Sequence, residues 1–334
     1  MADITIIMAS YNKENYIAEA LDSVFMQETD YNYHIIIADD CSTDRTLEIV
    51  NSYQERYPNK ITLLTSEKNQ KLYKNVLRAY EITKTNYFCV LDPDDYWVDK
   101  KKIQKALDFL EQNKDFTIYV TDTKMLFLDG TIKDFSKRNK IIDSKFEDFL
   151  ENKATLGHTS GTIFRNVVFK NGIPEKMRNL VSESAEYSFR GDSFRNAIHL
   201  YYGKSHCVPE SDSVYRATDD GIWQGISGLE QEILNTNLFK DLWLYFDKKY
   251  PELLITSYRK AQKIKHDLFG KLPEVQNINK KYDLIEQLIH LQHFYDANQE
   301  VIKTNLSKKI KFKYKIMLAL YAKLQKKLLK KDLI

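Results

Sequence analysis

Three carboxylates fall within four positions, at Asp92, Asp94 and Asp95, inside the segment Leu91-Asp92-Pro93-Asp94-Asp95-Tyr96-Trp97 that follows the apolar run 87–91. Carboxylates crowded at a strand end repel one another unless a cation sits among them. A hard divalent ion with oxygen ligands suits this spacing. Such an ion keeps few protein carboxylates and fills its other positions with water and substrate phosphates. The pattern points to Mg²⁺ or Mn²⁺ and a diphosphate ligand, with a solvated acidic turn as the alternative, since Asp and Pro both favour turns.

Other polar groups must converge on this segment if it is a site. Ala9-Ser10-Tyr11-Asn12 follows the strand-like run 4–8, and Asp39-Asp40 follows a second run at 34–38. Between these runs, Tyr16, Ile17, Ala20, Leu21, Val24 and Phe25 recur at helical spacing, as do Leu47, Ile49, Val50 and Tyr53. A third strand is expected at 61–65 and a third helix around Val76, Leu77 and Tyr80, leading into the strand that carries Asp92. Strands alternating with helices predict βαβ units and a mostly parallel sheet, whose ligands bind in a crevice at the carboxyl ends of the strands. The chain has neither G-x-G-x-x-G nor G-x-x-x-x-G-K, which disfavours a dinucleotide enzyme and a P-loop NTPase. Metal is then expected to hold the phosphates.

Taken together, Ile6-Ile7-Met8-Ala9-Ser10-Tyr11-Asn12, Ala38-Asp39-Asp40-Cys41-Ser42-Thr43-Asp44 and the acidic segment resemble the motifs of the family 2 glycosyltransferases, inverting enzymes of the GT-A fold. Arg165, Asp192 and Tyr215-Arg216 followed by Asp220-Gly221-Ile222-Trp223 extend the resemblance to roughly residues 4 to 228. It implies an α/β nucleotide-diphospho-sugar transferase fold, a donor such as a UDP-sugar, and a saccharide or lipid-linked glycan acceptor. It gives Asp39 the uracil imide N–H, and the turn Ala9, Ser10, Tyr11, Asn12 the base and ribose. Asp92 would line the donor pocket, Asp94 would serve the ribose or sugar-phosphate side, and Asp95 would hold the metal. Asp192 would be the base that takes the acceptor hydroxyl proton. Its alternative is an N-cap of the following helix; Asp40, Ser42 and Thr43 are likewise expected to cap the helix after them. Asn69, Lys71 and Asn75 precede the acidic strand and are candidates for the diphosphate, although an exposed Lys usually faces solvent.

Two departures from the family pattern stand out. Gly191-Asp192 replaces the usual Glu-Asp, and Thr218 occupies the position where many relatives carry a His able to complete the metal site. Asp219 and Asp220 are the acidic candidates to substitute for it. His158 is expected to be structural or to line the acceptor side, and no metal is expected at His290 and His293.

Strand-like runs at 116–120, 125–128, 161–164 and 206–208 mix with loops and short helices; beyond residue 223 the periodicity turns helical, with Leu238, Leu242, Tyr245, Leu284 and Leu288 marking apolar faces, so the chain is divided into a catalytic domain at 1–230 and a helical region at 231–334. From Lys303 onward there are eleven lysines and one acidic residue, Asp332. The tail therefore carries +10 of a net charge of +3, leaving −7 for the rest. Met317, Leu320, Tyr321, Leu324 and Leu328 at helical spacing make this tail a candidate for an anionic membrane surface or for packing on the protein itself. Nothing resembles a nucleic-acid module. The N-terminus has no leader-like segment, no apolar run is long enough to span a bilayer, and the three cysteines suit a reducing compartment. The expected location is cytoplasmic, peripheral at the inner face of the plasma membrane if the tail binds there. Rival readings are a non-catalytic glycan-assembly protein retaining the fold and a nucleotidyltransferase, which would want a glycine-rich basic loop near the N-terminus.

Overall fold

The computed structural model describes residues 2–183, 190–218, 225–271 and 278–306. In chain order the first part runs β1 (Ile4–Ser10), α1 (Ile17–Phe25), β2 (Tyr33–Asp39), α2 (Thr46–Arg56), β3 (Ile61–Leu64), α3 (Leu72–Ile82), β4 (Tyr87–Val90), β5 (Tyr96–Trp97) and α4 (Lys102–Gln112). It continues with β6 (Phe116–Leu126), β7 (Ile132–Asp134), β8 (Ile142–Ser144), α5 (Phe146–Leu150), β9 (Thr162–Arg165), α6 (Glu175–Glu183), α7 (Gly191–Tyr201) and β10 (Lys204–Arg216). Then come α8 (Gly228–Tyr245), α9 (Pro251–Lys271), α10 (Ile278–Ala297) and α11 (Gln299–Asn305). The chain divides into two compact units, 1–227 and 228–334.

In the first unit the strands lie in the order β3-β2-β1-β4-β9-β6-β10-β5, with β7 beside β6 and β8 beside β10. β1 is parallel to both β2 and β4, while β9 runs antiparallel between β4 and β6. Strands buried on both faces read as continuous apolar runs, and Ile4, Ile6, Ile7, Ile35 and Ile37 are fully buried. Helix α1 adds Ile17, Ala20, Leu21 and Val24 to the same core. On the register Ser10 lies beside Asp39, and Leu91 N–H donates to Ile7 O at 2.9 Å. The polar ends of β2, β1 and β4 therefore sit side by side on one edge of the sheet.

The second half differs from the expectation of separate strands at 116–120 and 125–128. β6 runs unbroken through Thr121-Asp122-Thr123 because each of these polar side chains has a buried partner. Thr121 Oγ1 donates to Gly161 O at 3.0 Å, Thr123 Oγ1 pairs with Ser213 Oγ at 2.9 Å, and Asp122 takes Ser136 Oγ at 2.6 Å and the Arg138 guanidinium. β10 is likewise longer than the expected 206–208, and it shifts register around Pro209, which lacks an N–H for the ladder. Gly161 is required at the crossing of β9 and β6, since a Cβ there would stand 2.7 Å from Thr121 O.

In the second unit α8 and α9 pack together around Leu229, Ile233, Leu242, Leu254 and Tyr258. Ser257 Oγ hydrogen-bonds Thr236 O at 2.8 Å and Tyr295 OH at 2.7 Å. No helix among the described residues is long and apolar enough to cross a membrane. The lysine-rich tail beyond Leu306 lies outside the described residues.

Candidate active site

The turn after β1 is held by its neighbours. Asn12 adopts φ 50°, a left-handed conformation that Asn tolerates better than most residues. Its N–H donates to Ser42 Oγ at 2.9 Å, and its Oδ1 accepts from Thr43 N–H at 2.8 Å. Ser42 in turn donates its N–H (2.9 Å) and its hydroxyl (2.5 Å) to the two oxygens of Asp39, which is fully buried. Ala9 is half-buried, Ser10 is buried with no partner for its Oγ among the described residues, and Tyr11 is 44% exposed at the rim. The stretch 9–12 and Asp39 thus form one bonded unit.

The expectation that Asp40, Ser42 and Thr43 cap α2 does not hold. Asp44 does the nearest equivalent, accepting from Thr46 N–H at 3.0 Å and from Glu14 N–H at 3.0 Å. Asp40 instead accepts the backbone N–H groups of Gln70 and Lys71, both at 2.7 Å, and pins the loop before α3. Asn69 Oδ1 also accepts from Lys71 N–H (3.0 Å), while the Lys71 side chain is exposed and its φ is 73°. Asn75 is buried scaffold, donating to Ala38 O at 2.6 Å.

At the end of β4 the three carboxylates separate. Asp95 is 1% exposed; one oxygen accepts from Arg216 N–H at 3.1 Å and the other from Ser160 Oγ. Trp97 Nε1 donates to Ser160 O at 2.9 Å and locks that hydroxyl-bearing turn in place. Burial, then Asp92 and Asp94, push the Asp95 carboxyl well above the usual range. His158 Nδ1 lies 3.8 Å from Asp95, but burial lowers its pKa to about 4 and Nδ1 accepts from Ser160 N–H, so the ring is neutral. Asp94 is half-buried and meets Lys13 Nζ at 2.9 Å. Asp92 is half-buried, and burial followed by the charge of Asp94 raises it to about 7.

These observations test the metal expectation. Among the described residues no three His, Cys, Asp or Glu side chains are arranged to hold an ion. Asp95, the expected ligand, has both oxygens committed inside the protein. Asp94 and Asp92 remain as the accessible carboxylates, a donor set that fits a Mg²⁺- or Mn²⁺-type cation completed by water and phosphate oxygens.

Asp192 stands in the first turn of α7, which begins at Gly191 with no side-chain cap at Arg190, so Asp192 is not the N-cap. Its carboxylate is 47% exposed and lies 3.6 Å from Arg190 Nε. One turn further along α7, Arg195 reaches Thr159 Oγ1 at 3.4 Å, next to the Ser160 whose hydroxyl holds Asp95. α7 is seated by Phe194, Ile198 and His199, the last ringed by Phe88, Phe164 and Phe169.

Sequence reasoning missed Lys13 and Arg195. Arg195 is 3% exposed and is held by Tyr80 OH (3.0 Å) and Thr159 Oγ1 (3.4 Å) over the Phe164 ring. Its charge opposes the protonation of Asp92. Its position three residues after Asp192, on the same helix face, was the available signal. For Lys13 the signal was a cation directly after the Asn12 turn.

The glycosyl transferase family 2 model matches residues 5–173, half of the chain. The chain belongs to glycosyl transferase family 2. A Mycobacterium tuberculosis protein of uncharacterised activity is 27% identical over 227 residues, 66% of this chain and 60% of that relative. The family 2 chain thus spans about 60% of that relative's length. The minor teichoic acid biosynthesis protein GgaB of Bacillus subtilis is 26% identical over 279 residues, 81% of this chain and 29% of GgaB. Staphylococcus aureus TarS residues 1–349, solved with UDP-GlcNAc, align with TM-score 0.56 and 17% identity over 85% of this chain and 79% of that one. That likeness is one of fold, and the fold is GT-A. At the family's His position, Thr218 is buried and its Oγ1 has no partner among the described residues; Asp219 and Asp220 lie outside them.

Proposed function

We propose that this chain is an inverting glycosyltransferase that moves one sugar from a UDP-sugar to a saccharide hydroxyl. The observation that carries the reading is the half-exposed Asp192 in the first turn of α7, the helix whose Arg195 reaches Thr159 Oγ1 at 3.4 Å, beside the Ser160 that holds Asp95. Asp192 would take the proton of the acceptor hydroxyl as its oxygen bonds the anomeric carbon. The bond from that carbon to the phosphate oxygen breaks on the opposite face, and UDP leaves. A divalent cation at Asp94 and Asp92 would supply positive charge against the growing negative charge of the leaving diphosphate.

Support for a UDP donor comes from TarS, solved with UDP and with UDP-GlcNAc, and from the bonded unit of Asp39, Ser42 and Asn12 at the end where the family reads uracil. GgaB, named for teichoic acid biosynthesis, and TarS, a poly(ribitol-phosphate) N-acetylglucosaminyltransferase, favour a cell-surface polymer or lipid-linked glycan as acceptor. A hexosyl or N-acetylhexosaminyl group is the sugar class. The lysine-rich sequence after Leu306 supports a peripheral place on an anionic membrane, and the free Cys41, Cys89 and Cys207 a cytoplasmic one.

The test is UDP release from a panel of UDP-sugars with acceptor glycan, with and without Mn²⁺, in the wild type and in Asp192→Asn. The variant is expected to lose turnover by at least about a thousandfold while binding UDP as the wild type does. Full turnover in the variant sinks Asp192 as base; no nucleotide binding in the wild type favours the non-catalytic reading.

A further inference from the structure

The acidic strand end already contains a cation of its own. Lys13 Nζ lies 2.9 Å from Asp94 Oδ2, with the two side chains only 14% and 16% exposed. The same ammonium also favours the ionised form of Asp92. The backbone of Lys13 is fixed, its N–H donating to Thr46 Oγ1 at 2.8 Å just after the left-handed Asn12. Its Cα is thus anchored while four flexible side-chain bonds leave the charge free to move. Lys71, the cation expected to serve the diphosphate, is exposed and belongs to the loop pinned by Asp40.

We propose that Lys13 is a second binding residue for the donor. Its ammonium neutralises Asp94 until a divalent cation arrives, competes with that cation for the carboxylate, and then turns to the diphosphate oxygens. The chemistry follows from charge. A divalent ion at Asp94 repels the ammonium from its partner, and the nearest anion that accompanies the metal is the diphosphate. A compact ammonium on a long stem suits such a transfer, whereas a planar guanidinium would hold a carboxylate more rigidly. The metal and the nucleotide therefore bind as a pair, each removing an obstacle to the other. This inference rests on the glycosyltransferase reading for the nature of the diphosphate ligand.

Calorimetric titration of the full chain, first with Mn²⁺ alone and then with UDP at saturating Mn²⁺, tests both halves. Lys13→Met is expected to bind Mn²⁺ alone about tenfold more tightly and UDP about tenfold more weakly, the scale of one partly buried ion pair. Lys13→Arg, whose guanidinium would hold Asp94 more rigidly, is expected to recover only part of the UDP affinity. In the wild type, the reactivity of Lys13 toward an amine-acylating reagent, read by mass spectrometry, should rise with Mg²⁺ and fall again with UDP. Unchanged Mn²⁺ affinity in Lys13→Met, or Lys13 reactivity indifferent to Mg²⁺, overturns the competition. Unchanged UDP affinity overturns the handover. A wild type that binds Mn²⁺ but no UDP overturns the glycosyltransferase reading instead, which keeps the two failures apart.

Discussion

The strand ends after β2 and β4 carry similar acidic sequences and have opposite fates. Asp39 and Asp40 are both buried, and the chain surrounds them with donors: the hydroxyl and N–H of Ser42 for the first, the N–H groups of Gln70 and Lys71 for the second. A carboxylate that accepts several hydrogen bonds is at rest in the folded state. After β4 only Asp95 is treated in this way, by Ser160 and Arg216, and even there the neighbouring carboxylates raise its pKa. Among the described residues, Lys13 is the cation that an ion pair brings to Asp94, at 2.9 Å. Asp40 is therefore scaffold, pinning the loop before α3, while Asp39 keeps the donor-side role proposed above; counting carboxylates does not distinguish such fates.

The largest effect that would sharpen this contrast is expected from Asp94→Ala, which should weaken metal-dependent UDP binding by at least about a hundredfold without loss of fold. Asp40→Ala should do the reverse. Leaving two backbone donors without their charged acceptor costs about 3 kcal/mol, visible in urea unfolding whether or not Mn²⁺ is present. If Asp40→Ala leaves stability unchanged, the scaffold role of the β2 end fails.

A pH series separates the two ends further. The pKa of Asp92 is raised in the folded state, to about 7. Its contribution to stability is complete below the unfolded carboxylate pKa of about 4 and is lost as pH rises through about 7. The metal-free wild type should therefore lose stability relative to Asp92→Asn between about pH 5 and pH 8, by of order 1–2 kcal/mol given the partial exposure of the group. His158 and His199, whose pKa values burial lowers to about 4 and about 3, act with the opposite sign in the acidic range. They are common to both proteins and cancel in the difference. Parallel stability curves for the two proteins would show that Asp92 is not crowded in solution.

The smallest effect should come from Asp95→Asn. An amide can keep an oxygen toward Arg216 N–H while the Ser160 hydroxyl turns to accept from its NH₂, so stability should change by within about 1 kcal/mol and Mn²⁺-dependent UDP binding should persist. If it abolishes that binding as completely as Asp94→Ala, Asp95 is a metal ligand after all.

Much of the first half was legible because parallel strands buried on both faces are written as apolar runs, and because polar residues at their carboxyl ends must share an edge. The runs at 4–8, 34–38 and 61–65 became β1, β2 and β3 with shifts of a residue or two. The second half was harder to read. Thr121, Asp122 and Thr123 resemble a loop by hydropathy, yet they are strand, because Gly161, Ser213, Ser136 and Arg138 satisfy them from far along the chain. Lys102 and Asp212 make the same point: a lysine on α4 and an aspartate on β10 form a buried ion pair at 2.7 Å that no local pattern announces.

The sequence by itself determined the parallel half of the sheet, the edge that gathers its polar strand ends, and the residue types available there, since these follow from local periodicity and from the order of strand ends. Only the tertiary structure decided which carboxylate is enclosed by donors and which is paired to a lysine. Asp92, Asp94 and Asp95 are almost indistinguishable in a linear reading. They diverge because Ser160, from the turn before β9, and Arg216, from the end of β10, enclose one of them, while Lys13 from the first turn meets another. Ionisation and ligand access depend on neighbours within a few ångströms, and those neighbours come from segments up to 121 residues away in the chain.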